Sequence, residues 1–263
     1  MELIPQNYID FLYWVKAETE SFWSQDRNTP GNVYKCREWM YGAKWIGMTE
    51  QEINDIQTKY SIVFTPEHRS FLRILHSIDR KRRVYDDVEK DEGEYVEYPF
   101  FFNWFRDDAE INRQLNWPYN TILEDIESNV SWFKEWGEKP ATFEERKNVF
   151  TRIFRTAPKL IPITGTRYQV ADLSLKTRPI LSVRGTDVVF FGADFREYLL
   201  LELVNEFNIY HAKYDEEDAI WIWELNEGYD KKEFGLYGEE RAREVPFWGE
   251  LLFFEWFGNN SGR

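Results

Sequence analysis

The stretch 157–191, APKLIPITGTRYQVADLSLKTRPILSVRGTDVVFF, decides the fold class. β-Branched and aromatic residues crowd it, and Pro158, Pro162, Gly165, Pro179 and Gly185 cut it into short runs. Side chains of this kind pack well on a pleated surface, and Gly and Pro supply turns, so the stretch reads as several short strands. Upstream the pattern is helical. Tyr8, Phe11, Leu12 and Val15 share one helix face, and Thr49 with Glu52 forms a capping box ahead of Ile53 and Ile56. Thr65-Pro66 opens another helix, with Phe71, Leu72 and Leu75 facing a core and Arg80-Lys81-Arg82-Arg83 expected at its carboxyl end, where cations suit the helix dipole. Helices are predicted over 107–115 and 119–130, separated at Trp117-Pro118. Thr142 with Glu145 caps the next, which buries Val149, Phe150, Ile153 and Phe154. Asp194 caps a well-buried helix carrying Tyr198, Leu199 and Leu203. Helices early, strands late and no regular alternation of the two define an α+β class with a mixed or antiparallel sheet. Leu160, Ile161, Val183, Val188, Phe190, Leu199 and Leu203 are the expected core.

Composition narrows the function. The chain has 263 residues, 43% of them hydrophobic and 18% aromatic, enough apolar surface for a large core. Its 47 acids against 33 lysines and arginines leave a net charge of −14, which repels phosphate backbones and anionic lipid headgroups. The electrostatic complement is a basic protein, with no direct nucleic-acid binding and no membrane insertion. A lone Cys36 cannot close an intrachain disulfide, and the first residues lack the pattern of a secretory leader, so a reducing cytoplasm is expected.

Signatures of catalysis are missing. Cys36, His68, His76 and His211 are too few and too scattered for a zinc site, and no Gly-x-Ser-x-Gly elbow, Gly-x-Gly-x-x-Gly turn or phosphate loop is present. No catalytic residue, metal or cofactor is therefore expected. Paired carboxylates of a carbohydrate-active enzyme remain an alternative, with no spacing that singles out an acid and nucleophile. Trp132 and Trp136 are spaced for one helix face and Trp221 and Trp223 for one strand face, and both pairs read as core. Arg167 and Asp187 are expected to form an internal ion pair. The acidic run 86–97 is the candidate partner-binding surface: Asp86, Asp87, Glu89, Asp91, Glu92 and Glu94 supply the charge, with Tyr95 and Trp104 as exposed aromatic anchors. Asp215-Glu216-Glu217-Asp218 extends or duplicates it.

An ordered series of short elements carries a family resemblance. Trp136-Gly137-Glu138-Lys139-Pro140, 157–163, Arg167-Tyr168, Ser182-Val183 and 186–194 follow one another at compatible spacing. Ile62-Val63-Phe64-Thr65-Pro66, Arg69-Ser70-Phe71-Leu72, Phe102-Asn103-Trp104 and Trp117-Pro118 precede them. Together they resemble the bacterial branch of the Smi/Knr-like family in the SUKH superfamily, over roughly 44–207. Two positions depart from that pattern: Thr166 stands where relatives often carry His, and Thr177-Arg178-Pro179 replaces a Gly-Asn-Pro-like turn. The resemblance implies one SUKH-like domain over 1–263, an α+β fold with a single central sheet flanked by helices. Around the core 44–207 lie a helical extension at 1–43 and a Trp-rich extension at 208–263. It also implies a non-catalytic immunity protein that neutralises a cognate basic toxin domain, a nuclease being one type, by direct binding. The fungal branch implies the alternative of a scaffold or regulator of cell-wall or envelope synthesis, with the Trp-rich carboxyl-terminal part as its interaction surface.

Overall fold

The computed structural model describes residues 4–25, 35–87, 92–207, 209–218 and 220–252. Its elements begin with α1 (Tyr8–Trp23), β1 (Trp45–Ile46), α2 (Glu50–Tyr60), α3 (Pro66–Ile74), β2 (Ser77–Ile78), β3 (Lys81–Asp87) and β4 (Glu92–Pro99). Next come α4 (Asp108–Glu127), α5 (Phe143–Phe154), β5 (Leu160–Thr164), β6 (Arg167–Val170), β7 (Ile180–Arg184) and β8 (Asp187–Gly192). The last are α6 (Phe195–Glu202), β9 (Tyr210–Asp215), β10 (Ile220–Leu225), α7 (Glu239–Ala242) and α8 (Trp248–Leu251). The chain groups into two compact units, Met1–Asp107 with Phe195–Leu236 and Asp108–Asp194 with Tyr237–Arg263, so the boundaries cut through the 44–207 span.

The second unit is built on the stretch that decided the fold class. Strands β5, β6, β7 and β8 form a four-stranded antiparallel meander in that order. Gly165 (φ +48°) and Gly185 (φ +60°) occupy left-handed positions in two of its turns, where a side chain is strained. At Gly185 the demand is doubled, because an added Cβ would meet the Asp125 carboxylate at 2.2 Å. That carboxylate accepts hydrogen bonds from the Thr186 backbone N–H (2.7 Å) and hydroxyl (2.9 Å), tying the turn to α4. Leu160, Ile161, Val183, Val188 and Phe190 are buried as expected. Phe133, Trp136, Phe150, Phe247 and Trp248 join the same core, and the Trp248 indole donates to the Pro158 carbonyl at 2.7 Å.

Helix α4 departs from the expected break at Pro118, running continuously through it. Proline has no N–H to give the Gln114 carbonyl four residues earlier. The buried Tyr168 hydroxyl of β6 lies 3.2 Å from that carbonyl oxygen and closer still to the Gln114 side-chain Oε1, so its one proton serves both oxygens of Gln114. Trp132 and Trp136 also differ from expectation: Trp136 ends a short 3-10 turn at Lys134–Trp136 and Trp132 precedes it, rather than both lying on an α-helix, and their rings meet edge to face at 5.5 Å.

The first unit is an aromatic cluster wrapped by helices. Asn7 caps α1, a Thr49–Glu52 capping box opens α2, and Thr65 caps α3 with Pro66 at its first turn. Trp45 packs on Phe101 (5.1 Å between ring centres), Phe71 on Phe195 (5.0 Å), and the Trp45 indole donates to the Thr19 hydroxyl at 2.8 Å. Leu199 and Leu203 are buried as expected. The basic run does not end α3. His76 takes a left-handed φ of +49°, the chain turns out of the helix after Ile74, and Lys81-Arg82-Arg83 begins β3 instead.

The α+β class holds, but the single central sheet does not. Besides the meander, three two-stranded antiparallel sheets are formed among the described residues, β1 with β2, β3 with β4, and β9 with β10. Sequence pattern explains the separation. Lys81, Arg82, Arg83, Asp86 and Asp87 in β3, and Glu92, Glu94 and Glu97 in β4, leave no alternating apolar face with which a strand joins a buried sheet.

Candidate partner-binding surfaces

The expected acidic surface falls on the β3–β4 hairpin. Its antiparallel register runs from Lys81 opposite Pro99 to Asp87 opposite Glu92, with a bulge between Tyr85 and Asp87. Asp86 and Asp87 close β3 while Glu92, Glu94 and Tyr95 lie on β4, so the backbone brings these predicted residues to one end of one hairpin. Glu89 and Asp91 lie outside the described residues, as do the side chains of the other five. At the opposite end Arg83 pairs with Glu97 across the ladder at 3.0 Å, an exposed ion pair of small energetic weight. The hairpin thus has Lys81, Arg82 and Arg83 at its base and carboxylate-rich sequence, broken by Lys90, toward its tip.

Trp104 is not an exposed anchor. It is 2% exposed, and its ring packs edge to face on Phe64 (5.1 Å) and Tyr60 (5.4 Å). Its backbone N–H donates to Nε2 of the buried His76 at 3.0 Å. Burial holds the His76 imidazole down at about 4, against the opposing fields of Asp107 and Glu52, so this ring is a neutral acceptor at physiological pH. Beside it the buried Asp107 carboxylate accepts from Lys81 (2.5 Å) and from the Asn103 backbone N–H (2.8 Å). The run Phe101-Phe102-Asn103-Trp104 was the signal for burial, since three large apolar residues in four positions seldom stay in water.

The second acidic block lies in the turn of the β9–β10 hairpin. Asp215 Oδ1 accepts from the backbone N–H groups of Glu217 (2.9 Å) and Asp218 (3.2 Å), which fixes the turn. Trp221 lies opposite Tyr214 and Trp223 opposite Ala212, so one face collects the rings. Lys213 and Glu224 share the other face and form an ion pair at 2.8 Å. The Trp pair does share a strand face, but it is not core: Trp221 is 64% and Trp223 54% exposed. Nothing in β9 announces this exposure: Tyr210, Ala212 and Tyr214 alternate with His211, Lys213 and Asp215, the pattern of a strand with one apolar face.

Arg167 does not pair with Asp187. Its guanidinium lies 3.6 Å from the Phe191 ring centre and donates to the hydroxyls of Thr166 (3.0 Å) and Ser182 (2.8 Å). Asp187 is exposed at the β7–β8 turn opposite Arg184, on a strand not adjacent to β6.

A cavity of about 130 Å³ in the first unit is lined by Phe22, Trp23, Lys35, Arg37, Met40, Asn205 and Glu206. The Glu206 carboxyl is 5% exposed, and burial pushes it up to about 7, with Arg37 opposing and Glu202 adding to the rise. Near neutral pH this group can hold or release a proton, a property general acids and bases share with many structural carboxyls. The Trp23 indole Nε1 is buried there with no hydrogen-bond partner. Among the described residues no group of three or more His, Cys, Asp or Glu side chains could hold a metal ion, and no helix is long and apolar enough to cross a membrane.

No protein-family model matches the chain, and no match was found among curated proteins or solved structures.

Proposed function

We propose that the protein is a non-catalytic, cytoplasmic binding domain that neutralises a cognate basic bacterial toxin domain by direct contact, as the Smi/Knr-like resemblance implies. The observation that carries this reading is the segregation of acidic sequence to hairpin tips in a chain of net charge −14. The β3–β4 end carries Asp86, Asp87, Glu92 and Glu94, and the β9–β10 turn carries Asp215, Glu216, Glu217 and Asp218. Carboxylates displayed this way speed encounter with a cationic surface and orient it, and they do so without any catalytic group. Affinity purification from the native host at low and high salt tests the reading. One stoichiometric basic protein, released by salt, is the expected result. Partners that are neutral or acidic, or recovery that salt leaves unchanged, would contradict it.

The exposure of Trp221 favours a second reading, a scaffold or regulator of envelope synthesis acting through its Trp-rich carboxyl-terminal part. That reading expects several endogenous partners from the same purification, retained at high salt.

A further inference from the structure

Strand β10 carries Ile220-Trp221-Ile222-Trp223, a run whose β-propensity and apolar character ordinarily place it inside a sheet. Here it forms half of a two-stranded hairpin, the kind of element that gains little stability on its own in water. The base of the hairpin is held: Ile209 is fully buried and its carbonyl accepts from the Asn226 backbone N–H at 2.8 Å. The far end stands in solvent, with Trp221 64%, Ile220 51% and Tyr214 47% exposed. Exposed apolar surface of this size on an edge strand invites association and marks an interaction site.

Two features specify what covers it. The first is geometry: the Trp221 and Tyr214 rings meet edge to face across the ladder with centres 5.3 Å apart, so the aromatic surface is already assembled. The second is charge. Glu216, Glu217 and Asp218 form the turn at the end of the hairpin next to Tyr214 and Trp221, while on the reverse face Lys213 is neutralised by Glu224 and Asp215 is taken up by the turn's backbone N–H groups. A flat cation that stacks on an indole while donating to carboxylates fits both, and guanidinium does this better than ammonium. A second copy of this chain is a poor occupant, because it would bring two acidic turns together on chains of net charge −14.

We propose that the Trp221–Tyr214 face of the β9–β10 hairpin is a docking site for an arginine-bearing segment of a basic protein. The inference rests on the basic-partner reading above and adds to it an aromatic anchor and a choice of arginine over lysine.

The test uses the full chain and a short fluorescent peptide of alternating arginine and valine, with lysine and glutamate counterparts, at physiological and high salt. The arginine peptide should bind more tightly than the lysine peptide, and the glutamate peptide not at all. Trp221→Ser should weaken the arginine complex about tenfold, and Trp221→Phe should keep most of the affinity. Because Trp221 is exposed, thermal unfolding of either variant should stay close to that of the wild type and rule out misfolding as the cause. Neutralising the turn with Glu216→Gln, Glu217→Gln and Asp218→Asn should weaken arginine and lysine peptides alike and flatten the salt dependence. The aromatic site is overturned if the wild type binds none of the peptides or Trp221→Ser binds as the wild type does. It is equally overturned by a dimer, seen by sedimentation, that Trp221→Ser dissociates, or by binding that occurs only once residues 253–263 are removed. A null effect of Trp221→Ser beside a clear effect of the turn variant removes the anchor and leaves the basic partner standing. Failure of the native purification to yield any basic protein removes that partner, whatever the peptides do.

Discussion

Strands β5 to β8 and strands β9 and β10 are written in similar residues and meet opposite fates. β5 is buried along its whole length, whereas most of β9 and β10 is in water. The difference is the cover. In the meander Phe133, Trp136, Phe150, Phe247 and Trp248 pack against the sheet residues in one core, and Tyr168 of the sheet and Asp125 of α4 spend their polar groups on contacts between the two. In the β9–β10 hairpin the ladder sets Trp221 and Trp223 opposite Tyr214 and Ala212 on an uncharged face and Ile220 and Ile222 opposite Asp215 and Lys213 on a charged one, and the uncharged face still leaves Trp221 64% and Trp223 54% exposed. Strand propensity therefore identifies a strand, and what packs over its apolar face decides whether it is core or surface.

Substitutions should separate the two regions sharply. Phe190→Ala, in the buried meander, should cost about 3–5 kcal/mol in urea unfolding, whereas Trp221→Ala should cost under about 1 kcal/mol. Comparable losses at both positions would erase the contrast.

The unit that carries the exposed hairpin should also respond to pH through two buried groups of opposite sign. His76 is held at about 4 in the fold against 6.5 when free, so the unfolded chain takes up a proton that the folded chain refuses. Its contribution is present above pH 6.5 and is lost as the pH falls toward 4, by about 3 kcal/mol. Glu206 is raised from 4.5 to about 7, so its contribution is fully present below pH 4.5 and is lost as the pH rises through 7. Melting temperatures measured from pH 4 to pH 8 should show the two trends opposing each other between 4.5 and 6.5. Glu206→Gln should flatten the neutral limb and leave the acid limb, an outcome that a generic charge effect would not give.

A smaller effect sharpens the role of the meander's polar contacts. Gly185→Ala combines a left-handed backbone position with a Cβ set against Asp125, and should destabilise by about 2 kcal/mol. Tyr168→Phe removes the donor shared by the Gln114 backbone carbonyl and side-chain Oε1 and should cost about 1–2 kcal/mol, with hydrogen exchange in α4 rising first around Pro118. If exchange there is unchanged, Tyr168 is not what carries the helix through its proline.

Much of the fold is legible in the sequence because the signals are local. The Thr49 and Thr142 capping boxes, Pro66 at the first turn of α3, and the four strands of 160–192 each follow from neighbours in the chain. What escapes depends on distant residues. Pro118 reads as a break because its compensating donor, Tyr168, lies 50 residues away in sequence. The basic run at 81–83 reads as a helix end because nothing local announces the left-handed turn at His76. The family resemblance implies one central sheet where several small ones stand among the described residues, since pairing between strands far apart is not written in either strand alone. Of the candidate site, Asp86, Asp87, Glu92 and Glu94 do gather on one hairpin, whereas Trp104 turns inward and the exposed tryptophans among the described residues are Trp221 and Trp223.

The central claim is that acidic hairpin tips recruit a basic protein. The most direct measurement is the salt dependence of the affinity between this chain and the partner it captures in its native host, with the wild type set beside the Glu216→Gln, Glu217→Gln, Asp218→Asn variant. The account predicts an affinity that falls steeply with salt and a variant that binds more weakly and with a shallower slope. An affinity indifferent to salt, and equal in the two proteins, would contradict it.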